Sequence, residues 1–88
     1  MRLRGEFVVR QVMDSVVAIP VGETALDLNG MILLNDVSKA IWDCLEQETD
    51  VAAIVKAITD AFEVSPEEAE ADILEFLRQL RELQLLQE

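Results

Sequence analysis

The 88 residues contain no histidine and only one cysteine, Cys44. The missing histidines remove the commonest general base and the commonest metal ligand. A single thiol closes no internal disulfide, and no cysteine cluster is present to hold zinc. No base is indicated that would make Cys44 a nucleophile. It stands at core spacing and reads as an inert buried thiol, in keeping with a reducing compartment.

Basic residues are also scarce. Seven Lys and Arg face eighteen Asp and Glu, for a net charge of −11. A nucleic-acid binder needs a basic face to displace counterions from phosphates, and an anionic membrane surface makes the same demand. No apolar run approaches the ~20 residues that span a bilayer. The basic start Met1-Arg2-Leu3-Arg4-Gly5-Glu6 leads into no signal-peptide core. No glycine-rich phosphate loop occurs. Glu67, Glu68, Glu70 and Asp72 follow helical spacing, not that of a calcium loop. They read as favourable charge near a helix N-terminus, and as a source of solubility. The expectation is a cytoplasmic protein without metal, cofactor or catalysis of its own.

What is present is apolar material, 51% of the chain. That is enough for one modest core, and the length fits a single domain over residues 1–88. The composition changes near Asn35. Before it the chain is rich in β-branched residues and glycine; after it, in Ala, Leu, Glu and Gln at helical spacing. Glu6 to Val12, Val16 to Pro20 and Met31 to Leu34 read as strands, the first two joined through a turn at Asp14-Ser15. Val21 to Thr24 reads as a loop, Ala25 to Leu28 as extended, and Asn29-Gly30 as a turn.

Asn35 or Asp36 caps a first helix running to about Gln47, with Val37, Ala40, Ile41, Cys44 and Leu45 as its stripe. Trp42 lies beside that stripe, as a core residue or an interface anchor. Thr49 or Asp50 caps a second helix, with Val51, Ile54, Val55, Ile58 and Phe62 at core spacing. Ser65-Pro66-Glu67-Glu68 opens a third helix, with Pro66 at the first helical position and Glu68 completing a capping box. That helix runs to about Leu83, and Leu85-Leu86 packs back onto the core. The predicted fold is α+β: three N-terminal antiparallel strands, then three helices in a winged helix-turn-helix arrangement.

Three features invite a partner. Met31, Ile32, Leu33 and Leu34 are all apolar, so both faces of that strand want cover. The same segment carries neither proline nor lysine, the usual blockers of an open sheet edge, and an extended peptide can add to such an edge. The third helix has two unlike flanks. Leu74, Leu77, Arg78 and Arg81 lie on one, and Asp72, Glu75, Gln79 and Glu82 on the other. A plain alternative stands beside each feature: self-covered sheet faces, a protected edge, and a solvated helix with Glu75–Arg78–Glu82 pairs.

Taken in order, Leu34-Asn35, Ala40-Ile41-Trp42 with Leu45, Ile54-Val55-Lys56-Ala57-Ile58, Ala71 to Leu77 with Leu80, and Leu85-Leu86 resemble the PqqD-like family. The resemblance covers about Phe7 to Leu86. Family members often carry Asp-Gly between the first two helices and Gly-Leu-Leu near the end, where this chain has Gln47-Glu48-Thr49 and Gln84-Leu85-Leu86. The resemblance implies a non-catalytic recognition protein for ribosomally made peptides. Such a protein binds the leader of the precursor and presents it to a separate enzyme, often of the radical SAM class. It implies strand addition at Met31, Ile32, Leu33 and Leu34, in a groove against Leu74, Leu77, Arg78 and Arg81. From the residues alone two other readings stay open: a winged-helix nucleic-acid binder, and a structural domain forming a homodimer through its apolar sheet.

Overall fold

The computed structural model describes residues 1–28 and 30–88. Asn29, half of the expected Asn29-Gly30 turn, lies outside the described residues. Among the described residues the order is β1 (Arg2–Leu3), β2 (Phe7–Val12), β3 (Ser15–Pro20), α1 (Thr24–Asp27), β4 (Ile32–Leu34), α2 (Asp36–Cys44), α3 (Val51–Ala61), α4 (Pro66–Glu82) and β5 (Leu86–Gln87). The antiparallel sheet β2-β3-β4 precedes the three long helices, and β1 pairs separately with β5. This is the α+β, winged-helix-like arrangement that the sequence predicts.

Strands β2 and β3 form a tight hairpin in which Val12 pairs with Ser15 across Met13 and Asp14. Met13 takes a positive φ of 57°. A positive φ at the first of two loop residues is the habit of the turns whose twist suits a hairpin. Strand β4 then pairs with β3, Leu34 opposite Val16, Leu33 opposite Val17 and Ile32 opposite Ala18. Strand alternation sorts these side chains. Phe7, Val9, Val16, Ala18, Ile32 and Leu34 pack on the core. Arg10, Val17 and Leu33 share the other face.

Three expectations move. The hairpin turn expected at Asp14-Ser15 lies at Met13-Asp14, and Ser15 opens β3. The segment predicted as extended at Ala25–Leu28 is instead the short helix α1. Its amides turn inward on the preceding carbonyls, Leu26 to Glu23 and Leu28 to Thr24, both at 3.0 Å. The Thr24 hydroxyl also accepts the Glu6 amide at 2.8 Å. Gly5 makes that approach possible: with φ at +106°, a Cβ there would stand 2.9 Å from the Thr24 hydroxyl. Helix α2 stops at Cys44 rather than near Gln47. The Leu45 amide bonds to both Ile41 and Trp42 carbonyls, tightening the last turn, while the Leu45 carbonyl accepts from Leu3 of β1 at 2.8 Å.

The core is wholly apolar among the described residues. Ile41, Trp42, Leu45, Ile54, Ile58, Ile73, Leu77 and Leu80 are its largest buried side chains. Each contributes about 1.5–3 kcal/mol by leaving water. Trp42 is a core residue, meeting Phe7 edge-on at 5.0 Å between ring centres and 89° between planes. This contact ties the sheet to α2. The chain ends close the base. Met1 and Thr49 exchange backbone bonds of 2.8 and 2.9 Å. The Arg4 amide reaches the Leu85 carbonyl at 2.8 Å.

Helix caps follow the expected residues with one exchange. Asp50 and Ser65 accept from Ala53 and Glu68 amides at 2.8 and 3.1 Å. The Glu68 side chain does not return the bond, so the capping box expected there is absent. The reciprocal pair occurs instead at α2, between Asn35 and Ser38. At the other end of α4 the Leu85 amide reaches back to Leu80 at 2.8 Å and Gln84 to Arg81 at 2.9 Å. This is a Schellman closure, with Leu85 buried near the helix it caps. Its left-handed position is held by Gln84, at φ 60°.

Glycine tolerates that conformation without a Cβ penalty. Gln84→Gly is therefore expected to stabilise the fold by about 0.5–1 kcal/mol net of the added freedom of the unfolded chain. Thermal unfolding followed by circular dichroism should show the midpoint rising by about 2–8 °C. A lowered midpoint would mean that Gln84 is unstrained.

Candidate functional site

Strand β4 has a neighbour on one side only. The sheet order ends with it, and among the described residues its outer edge pairs with nothing. Leu34 is 4% exposed and fixes the strand to the core, whereas Leu33 is 70% exposed. The strand is thus anchored by alternate side chains while its free backbone groups face outward. An edge of this kind is a template for another strand unless something covers it.

One wall beside that edge is fixed by a helix cap. Helix α2 starts directly after Leu34. The Asn35 side chain accepts the Ser38 amide at 2.8 Å, and the Ser38 hydroxyl accepts the Asn35 amide at 2.8 Å. Between β4, the start of α2 and the outer side of α4 lies a groove of ≈ 330 Å³. Leu33 lines it from β4, and Asn35, Val37, Ser38 and Ile41 from α2. Asp72, Glu75, Phe76 and Gln79 line it from α4. These α4 positions fall at i, i+3, i+4 and i+7, one face of a helix. Ile41 and Phe76 are buried, so the base of the groove is apolar and its α4 wall is polar.

The charge of that wall is negative. Asp72 and Glu75 line the groove and no Lys or Arg does. Arg78 reaches round to Glu75, with bonds of 2.6 and 3.0 Å, and holds Glu82 at 2.6 Å. The Arg78 hydrogen bond holds the Glu75 carboxyl below its ordinary range. The same carboxylates raise the Arg78 pKa, Glu75 first. Asp72 has no side-chain hydrogen bond or ion pair among the described residues.

The residues expected to form one binding surface separate into two. Ile32, Leu33 and Leu34 form β4, with exposed Met31 just before it. Leu74, Leu77, Arg78 and Arg81 do not line the groove beside that strand. At ~100° per residue they lie more than ~100° round α4 from its groove face. Leu77 is fully buried in the core, and Leu74 is 45% exposed. Arg81 pairs with Glu88 at 2.9 Å. The flank facing β4 is the acidic one. The periodicity shows two flanks, but which of them meets β4 depends on how α4 crosses α2. Asp72, Glu75 and Gln79 were visible as part of the acidic flank, and Phe76 as part of the core stripe beside it.

Cys44 is partly buried, and burial followed by the nearby Asp43 carboxylate raises its thiol pKa. Asp43 itself is held by Lys39 at 2.6 Å. No helix among the described residues is long and apolar enough to cross a membrane.

Comparison with known proteins gives a family and a structural relative. The family model described as coenzyme PQQ synthesis protein D (PqqD) matches residues 23–86. The chain belongs to the PqqD family. Among solved structures, TbiB1 in complex with the TbiA(beta) leader peptide is similar, with a TM-score of 0.73 and 28% identity. The match covers 99% of this chain and 95% of that one. No curated protein sequence matches.

Two measurements check the assignments of single residues. Leu77→Ala is expected to cost about 2–5 kcal/mol of stability, as a buried leucine does, and Leu74→Ala less than about 1.5 kcal/mol; denaturant unfolding compares them. Alkylation of Cys44 at neutral pH should run slower than that of a free thiol, since a raised pKa means less thiolate. Asp43→Asn should speed it, and an unchanged rate would remove the carboxylate from the account.

Proposed function

We propose that residues 1–88 act in the cytoplasm as one non-catalytic recognition domain for a ribosomally made precursor peptide. The leader of that precursor adds as a strand to the outer edge of β4. The domain then presents the precursor to a separate modifying enzyme of the radical SAM class. The observation that carries this reading is the unpaired edge of β4 beside a groove with an apolar base. Membership of the PqqD family and the likeness to a leader-bound protein support it.

The chemistry asked of the site is modest. Backbone groups of β4 exchange hydrogen bonds with an extended peptide, which gives affinity without sequence selection. Alternate peptide side chains then meet Leu33, Ile41 and Phe76, and these give specificity. The proposed contact set keeps Met31, Ile32, Leu33 and Leu34. On α4 it takes the Asp72–Gln79 face in place of the Leu74 and Arg81 flank. A nucleic-acid reading is poorly supported, because α4 turns carboxylates outward and both its arginines are paired.

The test is a titration of isotope-labelled protein with leader peptides encoded beside its gene, followed by NMR. The strongest shifts are expected at residues 32–34 and along Asp72, Glu75, Phe76 and Gln79. Leu33→Ala should weaken binding by about 1–3 kcal/mol if Leu33 is an anchor. Shifts confined to other surfaces would overturn the site. Sedimentation at rising concentration separates peptide binding from self-association through the same edge.

A further inference from the structure

The groove beside β4 has a charge preference that its backbone edge does not have. We infer that it selects a leader strand carrying a lysine or arginine two positions from an apolar residue, and that it disfavours an acidic one. This rests on the proposed strand addition at β4 and names the class of peptide that the same site takes.

The lining of the groove is acidic. Asp72 and Glu75 stand on the α4 wall, and no Lys or Arg lines the groove. Asp72 is exposed and has no partner among the described residues, so it is available to a ligand. Glu75 is shared with Arg78, whose guanidinium is also bound to Glu82. Arg78 is therefore outnumbered by the carboxylates around it.

One feature opposes a cation, the positive end of α2 at Asn35, Val37 and Ser38. It is answered locally. Asp36 lies in the first turn of α2, and the Asn35 side chain takes the Ser38 amide. The far field points the same way as the groove, because the chain carries a net charge of −11. Such a field draws a basic peptide in, and salt weakens it.

The spacing fits a strand. Side chains on one face of a strand recur every ~7 Å, two residues apart. Asp72 and Gln79 are separated by ~10 Å of helix rise. An added strand can therefore set a basic side chain against Asp72 and Glu75. An apolar side chain two positions along would then rest over Ile41 and Phe76. An acidic residue in the first place would face two carboxylates and no cation.

The probe is a set of three short soluble peptides, identical and valine-alternating except at one central position. That position is lysine, glutamine or glutamate. NMR titration gives both the place of binding and the affinity. The lysine peptide is expected to bind about three- to tenfold more tightly than the glutamate peptide, the range of a few exposed charge contacts. Asp72→Asn should shrink this ratio. Arg78→Ala, which releases Glu75, should widen it. If all three peptides shift residues 32–34 with equal affinity, or glutamate wins, the charge preference is overturned while strand addition stands. If none of them shifts residues 32–34, the strand-addition reading fails and this inference fails with it.

Discussion

The joint between Leu34 and Asn35 is the constraint on which the site depends. A strand ends and a helix begins with no loop between them. Leu34 is buried on the core side, and the Asn35–Ser38 capping box fixes the first turn of α2. Helix α2 then buries Ile41 and Trp42, and the Trp42 ring meets Phe7 of the sheet. Strand β4 is held from below and behind by these contacts, so its outer edge stays open without fraying. An edge strand of three residues would hardly persist on pairing with β3 alone.

The helices supply the other wall. Helix α4 buries Ala69, Ile73, Phe76, Leu77 and Leu80 and turns its acidic side to the β4 groove. The Schellman closure at Gln84 then returns the chain to the base, where β5 pairs with β1. Residues before the start of the family match at residue 23 thus help close the fold, through Met1, Leu3 and Arg4.

In the proposed strand addition, affinity and selectivity have different sources. Backbone pairing at β4 is indifferent to peptide sequence. Discrimination falls to the few side chains of the α2 and α4 walls. The ion pairs of Arg78 and Arg81 are exposed and belong to the helix surface, where such pairs contribute little to stability. Their effect is on charge distribution: they occupy the two α4 arginines and leave Asp72 as the available charge at the groove.

Much of the fold was written in local patterns. β-branched residues and short apolar runs between turn signals marked β2, β3 and β4, and capping residues marked the starts of α2, α3 and α4, because these depend on neighbours in the chain. The short helix at Thr24–Asp27 was not legible, since a hydrogen bond from Glu6 to Thr24 helps set it. The early end of α2 was equally hidden, because the carbonyl of Leu45, the residue just past it, is taken by Leu3. The site divides in the same way. Sequence alone determined an apolar, unblocked strand and a helix with one acidic and one basic flank. Only the tertiary structure decided which flank faces the strand, because that choice is made by the packing angle of α4 on α2 and not by any residue's own periodicity.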